Sequence, residues 1–340
     1  MNIIFLIIGV TIVNFIVIDM IWTSLWVDKG AGILTRNLSN ITWNILVRLN
    51  TKKSGILNAS GPIILMITLF SWVLILWIGW AFVFASGSKD IVNSITGNPM
   101  ETIDIIYYSG YVLFTLGNGD FVPITGLMKI LSTFSTGVGM LLLTIGASYI
   151  ISIVGAVVKK RAFAINVSSV GKSPQDIIVN SWNGKNFQHM DSFLISLSSE
   201  LSTLTYQHKA YPLLYYYHTD DFNKALSVAI VKLDEVLTIL EHAVEYEKQP
   251  NSLLFIGMRS SIDNYLNILN KMYIKSSDIP LSIPDLRILR EKNIPVKSID
   301  DFNKEIKKIE SRRKNLRGLL NYDNWDEDVI YSSKSKFSFK

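Results

Sequence analysis

Three apolar runs constrain this chain more than any other feature. Residues 2–26, 62–85 and 130–158 each supply the roughly 20 residues needed to cross about 30 Å of hydrocarbon. The core of the first, Ile3 to Ile18, carries no charge. Residues 161–340 have the charge and polarity of a soluble helical domain. The expectation is an all-α membrane protein, with three transmembrane helices per chain and a helical cytoplasmic domain.

The first run lacks the positively charged start and the small-residue cleavage site of a signal peptide, so it reads as a retained span. Asp19 lies near its end and reads as a residue at the headgroup boundary. Trp22 and Trp26 follow it and suit an interfacial aromatic belt.

Charge sets the orientation. Between the first two runs lie Lys29, Arg36, Arg48, Lys52 and Lys53 against Asp28. Between the second and third, Lys89 and Lys129 stand against Asp90, Glu101, Asp104 and Asp120. Lys159, Lys160 and Arg161 follow the third run. The bias toward cytoplasmic lysine and arginine places the first loop and the C-terminal half in the cytoplasm. The N-terminus and the 87–124 loop then lie outside, in a multi-pass protein of the cell membrane. Within the first loop, Thr35–Leu49 sets Leu38, Ile41, Trp43, Ile45, Leu46 and Leu49 among polar residues. It reads either as an amphipathic helix on the inner membrane face or as a packed linker helix.

Several function classes fall away. The chain has no cysteine, which removes disulfides and thiolate metal sites. His189, His208, His218 and His242 show no metal-ligand spacing. The net charge of +5 is not gathered into a basic, aromatic-laced patch, so no nucleic-acid partner is expected. The apolar runs contain no Ser/His/Asp set and no metal cluster, which argues against an enzyme. No helix carries arginine at every third position, as a voltage sensor would. No G-x-G-x-x-G fingerprint follows the third run.

The 101–123 segment is the informative one. Residues 101–114 are apolar, begin with acids suited to a helix N-terminus, and are too short to span. Thr115-Leu116-Gly117-Asn118-Gly119-Asp120 follows, then Pro123 and the third run. Non-helical backbone at membrane depth is tolerated only where it lines a cavity or is buried in protein. A half-helix and a glycine-rich turn between two spans therefore read as a re-entrant loop. Rings of backbone carbonyls can replace the water shell of a cation, and glycine permits the backbone conformations that point them inward.

This segment resembles the T-V-G-Y-G-D signature of the potassium channel family. It matches at Thr115, Gly117, Gly119 and Asp120, with Leu116 replacing valine, and the resemblance covers about 62–158. Tyr107 and Tyr108 stand where family members often carry tryptophans. With Tyr111 and Asp120 they are expected to support the filter. Gly139 falls where the family often has its gating hinge. The resemblance implies a homotetramer in the lipid bilayer, each chain giving one quarter of a ring of filter loops. It implies passive cation flow, potassium bound at Thr115, Leu116, Gly117, Asn118 and Gly119, and no cofactor. The departure is Asn118, where the family has tyrosine or phenylalanine. The aromatic prop is either missing or replaced by hydrogen bonds. Potassium selectivity is the expectation, with a non-selective monovalent cation channel as the alternative. A membrane-anchored sensor or interaction protein is the alternative from another class. Gly137 and Gly146 read as helix-packing residues.

The domain reading is then 1–26 as an N-terminal transmembrane helix and 27–61 as a cytoplasmic linker with a possible interfacial helix. Residues 62–160 form a pore domain of outer helix, pore helix, filter and inner helix, and 161–340 the cytoplasmic domain. Residues 161–187 read as irregular. Helical periodicity starts near His189 and recurs in 222–240, 252–273 and 299–320, broken by Pro280, Pro284 and Pro295. The aromatic run 211–218 reads as core, with a ligand pocket or a link to the gate as alternatives. The basic run 307–317 reads as a solvated face, with contact to anionic lipid as the alternative. A ligand or partner of this domain is left open.

Overall fold

The computed structural model describes residues 1–27, 30–49, 55–272 and 275–331. Asp28, Lys29, Lys52, Lys53 and Tyr273, used in the readings above, lie outside them. The described residues form an all-α membrane protein, apart from one small hairpin. Three of their helices are long and apolar enough to cross a membrane: α1 (Ile3–Leu25), α3 (Ser60–Ala85) and α5 (Gly126–Val170). Between them lie α2 (Ile33–Leu49) and α4 (Thr102–Leu113). The chain divides into two compact units, the first comprising Met1–Leu49, Ala59–Val154 and Ala210–Tyr216.

In the first unit α1 packs along α3. The approach is close: a Cβ on Gly9 would come within 2.7 Å of the Gly79 carbonyl oxygen, the small-residue packing that membrane helices use. Asp19 is only 3% exposed. It accepts hydrogen bonds from the Leu34 amide (2.9 Å), the Thr35 hydroxyl (2.6 Å) and the Trp72 indole (3.1 Å). The sequence placed it at the headgroup boundary. It is also a buried anchor, a carboxylate lent by α1 to the unpaired amides and positive end of α2. Trp72 ties the same group to α3.

The segment Ala210–Tyr216 belongs to this unit, although its sequence neighbours suggested the cytoplasmic half. Ser60 donates to the Tyr216 carbonyl at 2.5 Å, and the Tyr211 ring lies 6.2 Å from that of Tyr149 on α5. Its aromatic side chains are largely buried, as the core reading expected.

The second unit contains α6 (Pro174–Ser181), α7 (Met190–Ala210), α8 (Leu226–His242) and α9 (Ser252–Met272). It also contains α10 (Arg287–Glu291), α11 (Ile299–Lys308), α12 (Glu310–Tyr322) and α13 (Asp328–Tyr331). Helix α8 is its axis, buried from Leu226 to Leu240. It carries two acids into the core, and both are paired. Asp234 meets Arg259 at 2.8 Å and also Arg312, while Glu235 meets Arg313 at 2.6 Å. Burial pushes the Asp234 carboxyl up, but the two guanidinium groups outweigh it and hold the group below the usual range. The stretch expected to be irregular is partly helical, because α5 runs on to Val170. Phe163, Ala164 and Val167 are fully buried and continue its packed stripe. The helix expected over 299–320 is two helices that break at Ile309.

Replacing Asp19 with alanine takes the acceptor from the Leu34 amide and the Thr35 hydroxyl and leaves the Trp72 indole only its 3.2 Å hydrogen bond to the Thr35 hydroxyl, so a loss of roughly 2 kcal/mol is expected. Asparagine keeps one accepting oxygen and should fall between wild type and alanine. Thermal unfolding in detergent, compared across Asp19, Asp19→Asn and Asp19→Ala, checks the order.

Candidate functional site: the re-entrant loop

Helix α4 starts with a capping box. The Glu101 side chain accepts from the backbone of Asp104, and the Asp104 carboxylate accepts the Glu101 amide at 2.9 Å. The helix ends at Leu113, and the Phe114 amide still reaches Gly110 at 2.8 Å. The chain then turns abruptly. Thr115 has φ 60°, Gly117 φ 61° and Gly119 φ 79°. Leu116 and Asn118 between them do not have positive φ. This alternation breaks the regular reversal of carbonyl directions found in a strand and lets successive carbonyls share one side of the chain. Glycine adopts it freely. Thr115 is β-branched and does not, so its conformation is strained. Two bonds hold it: the Thr115 amide to the Val112 carbonyl (3.2 Å) and the Leu116 amide to the Tyr111 carbonyl (2.8 Å).

The side chains behind the turn form a linked set. Asn118 Nδ2 donates to Tyr107 Oη at 2.6 Å, and the Tyr107 hydroxyl donates to Asp120 Oδ2 at 2.6 Å. The aromatic residue that Asn118 replaces is thus exchanged for a hydrogen-bonded link, one of the two outcomes the sequence left open. The Tyr111 hydroxyl donates to the Phe121 carbonyl, and Tyr108 shares a 2.6 Å hydrogen bond with Ser132 of α5. The Tyr107 and Tyr111 rings meet edge to face at 5.3 Å, and Tyr108 meets Tyr111 at 5.1 Å. From α3, Trp77 donates to the Ile106 carbonyl at 3.0 Å and Phe84 packs on Tyr108 at 4.9 Å. The loop is therefore held from both flanking helices.

Two supports were not visible in the sequence. The first is an antiparallel hairpin of β1 (Ile91–Asn93) and β2 (Phe121–Pro123), pairing Ile91 with Pro123, Val92 with Val122 and Asn93 with Phe121. With the Ser94 amide on the Asp120 carbonyl (2.8 Å) it closes the loop at its C-terminal end. Strands of three residues are too short to show an alternating pattern. The second is the seat of α4 on α5. A Cβ on Gly139 would overlap the Leu113 carbonyl oxygen, so the end of the half-helix rests directly on the backbone of α5. Gly139 has a packing reason to be glycine in this conformation. The Thr136 hydroxyl, one turn earlier, donates to the Val112 carbonyl at 3.1 Å. A Cβ on Gly146 would meet Leu69 at 3.6 Å, while among the described residues a Cβ on Gly137 would meet no other element within 4 Å.

A spanning helix, a half-helix, a turn of alternating φ and a second spanning helix define a pore-loop domain. Residues 64–156 match the family model described as "Ion channel". The chain belongs to the ion channels of the potassium-channel-like kind, with two pore-forming membrane helices, and it carries α1 in addition. Over 316 residues it is 37% identical to the uncharacterized membrane protein YdjJ of Bacillus subtilis (strain 168), covering 93% of each chain. No solved structure matches it.

Tyr107→Phe removes the hydroxyl that links Asn118 to Asp120. Amide hydrogen exchange across 114–121 is expected to quicken, while exchange across α3 stays unchanged.

Proposed function

We propose that four copies of the chain surround one axis and conduct potassium passively through a filter of backbone oxygens from Thr115, Leu116, Gly117, Asn118 and Gly119. The observation that carries this reading is the alternation of positive φ at 115, 117 and 119 in a loop that is exposed throughout on the single chain. Leu116, for example, is 65% exposed, which an apolar residue at membrane depth tolerates only against lipid or protein. One loop makes one wall of a cavity, and a cation stripped of water needs oxygens on every side.

Three features favour tight selection. The Asn118–Tyr107–Asp120 link fixes the filter from behind, in place of aromatic packing. The hairpin and the Gly139 seat fix its two ends. The C-terminal end of α4 carries a partial negative charge toward the turn, which favours a cation there. Potassium is the transported species, and the conduction step calls for no cofactor.

Gly139 is the proposed gating hinge. At this point α5 meets α4 without a side chain between them, so α5 can tilt about the contact without displacing one. The proposed orientation puts the N-terminus and the 87–124 loop outside and the C-terminal domain in the cytoplasm, on the lysine and arginine bias of the loops.

Flux into vesicles containing the purified protein tests this reading. A potassium gradient is expected to drive uptake that a sodium gradient does not. A side chain at a left-handed position costs roughly 1–2 kcal/mol per subunit, so Gly117→Ala should abolish the flux. Cross-linking of the same vesicles should end at a species of four chains. Equal potassium flux through wild type and Gly117→Ala would overturn the filter assignment. Equal potassium and sodium flux that Gly117→Ala abolishes would move the reading to a non-selective pore.

A further inference from the structure

Helix α2 buries the wrong residues for a helix on the surface of a soluble protein. Its buried positions are Thr35, Ser39 and Leu46, a mostly polar face turned toward α1 and α3. Its apolar stripe is open. At about 100° per residue, Leu34, Leu38, Ile41, Ile45 and Leu49 share an arc of about 80°. Ile41 is 57% exposed, Ile45 50% and Leu49 57%. A helix in water turns such a stripe inward.

The rest of the helix says which way the stripe faces. Trp43 and Asn40 lie on the opposite side. There the Tyr216 ring sits 5.7 Å from that of Trp43, and the Tyr216 hydroxyl donates to Asn40 at 2.8 Å. The buried arc lies between the two. Asn37, Asn44 and Arg48 border the stripe on its other edge and are exposed. The apolar stripe and the protein-facing arc are thus separate, and the remaining polar side of the helix also carries the exposed Ile33 and Val47.

Its level is also fixed. Asp19 holds the first turn of α2 through the Leu34 amide and the Thr35 hydroxyl. Asp19 lies six residues before the end of α1 at Leu25, or roughly 9 Å along that helix. Helix α2 therefore starts level with the last turns of a spanning helix, not beyond them. Interfacial helices settle about 5–10 Å into the boundary of headgroups and acyl chains.

We propose that α2 is a lipid-bound helix lying along the inner face of the bilayer. Leu34, Leu38, Ile41, Ile45 and Leu49 lie in the acyl boundary, and Arg48 reaches the anionic headgroups. The partner is the anionic leaflet itself, and the proposal stands whether or not the pore selects potassium. One consequence follows from Tyr216 and Tyr211. The segment that contacts α2 also contacts Tyr149 of α5, so a change in how deeply α2 sits reaches the inner helix through packed aromatic rings.

The absence of cysteine makes the test direct. Single variants Ile41→Cys, Ile45→Cys, Asn37→Cys and Asn44→Cys of the full chain carry a nitroxide label. They are reconstituted in vesicles of phosphatidylcholine with phosphatidylglycerol. Each replaced side chain is exposed, so folding is not at stake. Collisions with oxygen report lipid, and collisions with a water-soluble nickel chelate report water. The oxygen-to-nickel ratio at 41 and 45 is expected to exceed that at 37 and 44 by about tenfold, as for a helix half-sunk in the interface. Vesicles of phosphatidylcholine alone should lower the ratio at 41 and 45. Nickel access at 41 and 45 equal to that at 37 and 44 would overturn the proposal, since the helix would then lie in water. Exclusion of both reagents at 41 and 45 would also overturn it, by showing that a second copy covers the stripe. An unchanged ratio without phosphatidylglycerol would overturn the anionic partner.

Discussion

Backbone that leaves helical geometry between two membrane spans must be paired or must line a cavity, and the design of this chain follows from that constraint. Between Phe114 and Asp120 the backbone alternates in the sign of φ and takes strain at Thr115. Such a turn persists only if its surroundings over-determine it. Here the end of α4 supplies two hydrogen bonds, the Asn118–Tyr107–Asp120 link a third point of hold, and the hairpin a fourth. In the proposed filter, the backbone oxygens of this turn face the cation.

The scaffold is arranged around that turn. Helices α3 and α5 grip α4 through aromatic contacts and through hydrogen bonds to its backbone, and Gly139 lets the end of α4 rest on α5. Helix α1 adds a different function. It carries Asp19, whose carboxylate organises α2 and Trp72, so the additional span fixes the helix that enters the outer wall of the pore. The buried Asp19 side chain is met by three donors, which offsets the cost of placing a polar group among membrane helices.

Much of this was legible in the sequence, for physical reasons. Spans announce themselves because hydrocarbon demands about 20 apolar residues in a row. The loop was legible because glycines at 117 and 119 serve a backbone that few other residues can adopt. The misses share a different cause. Lys159-Lys160-Arg161 marks the end of an apolar run, not the end of a helix, and lysine and arginine are good helix formers. The stripe through Phe163, Ala164 and Val167 carries that information. The hairpin is too short for periodicity. Asp19 and the 210–216 segment depend on tertiary partners far along the chain, which local patterns do not encode. Asn118 lay between: its departure from the aromatic was plain, but its partner Tyr107 became visible only in three dimensions.

The central claim is that a filter propped by Asn118 through hydrogen bonds holds a cavity tight enough to select potassium. The most direct measurement is the reversal potential of purified protein in a planar bilayer, with potassium on one side and sodium on the other. Reversal displaced toward the potassium equilibrium potential is expected. A clear current reversing near zero would contradict it and mark the pore as non-selective.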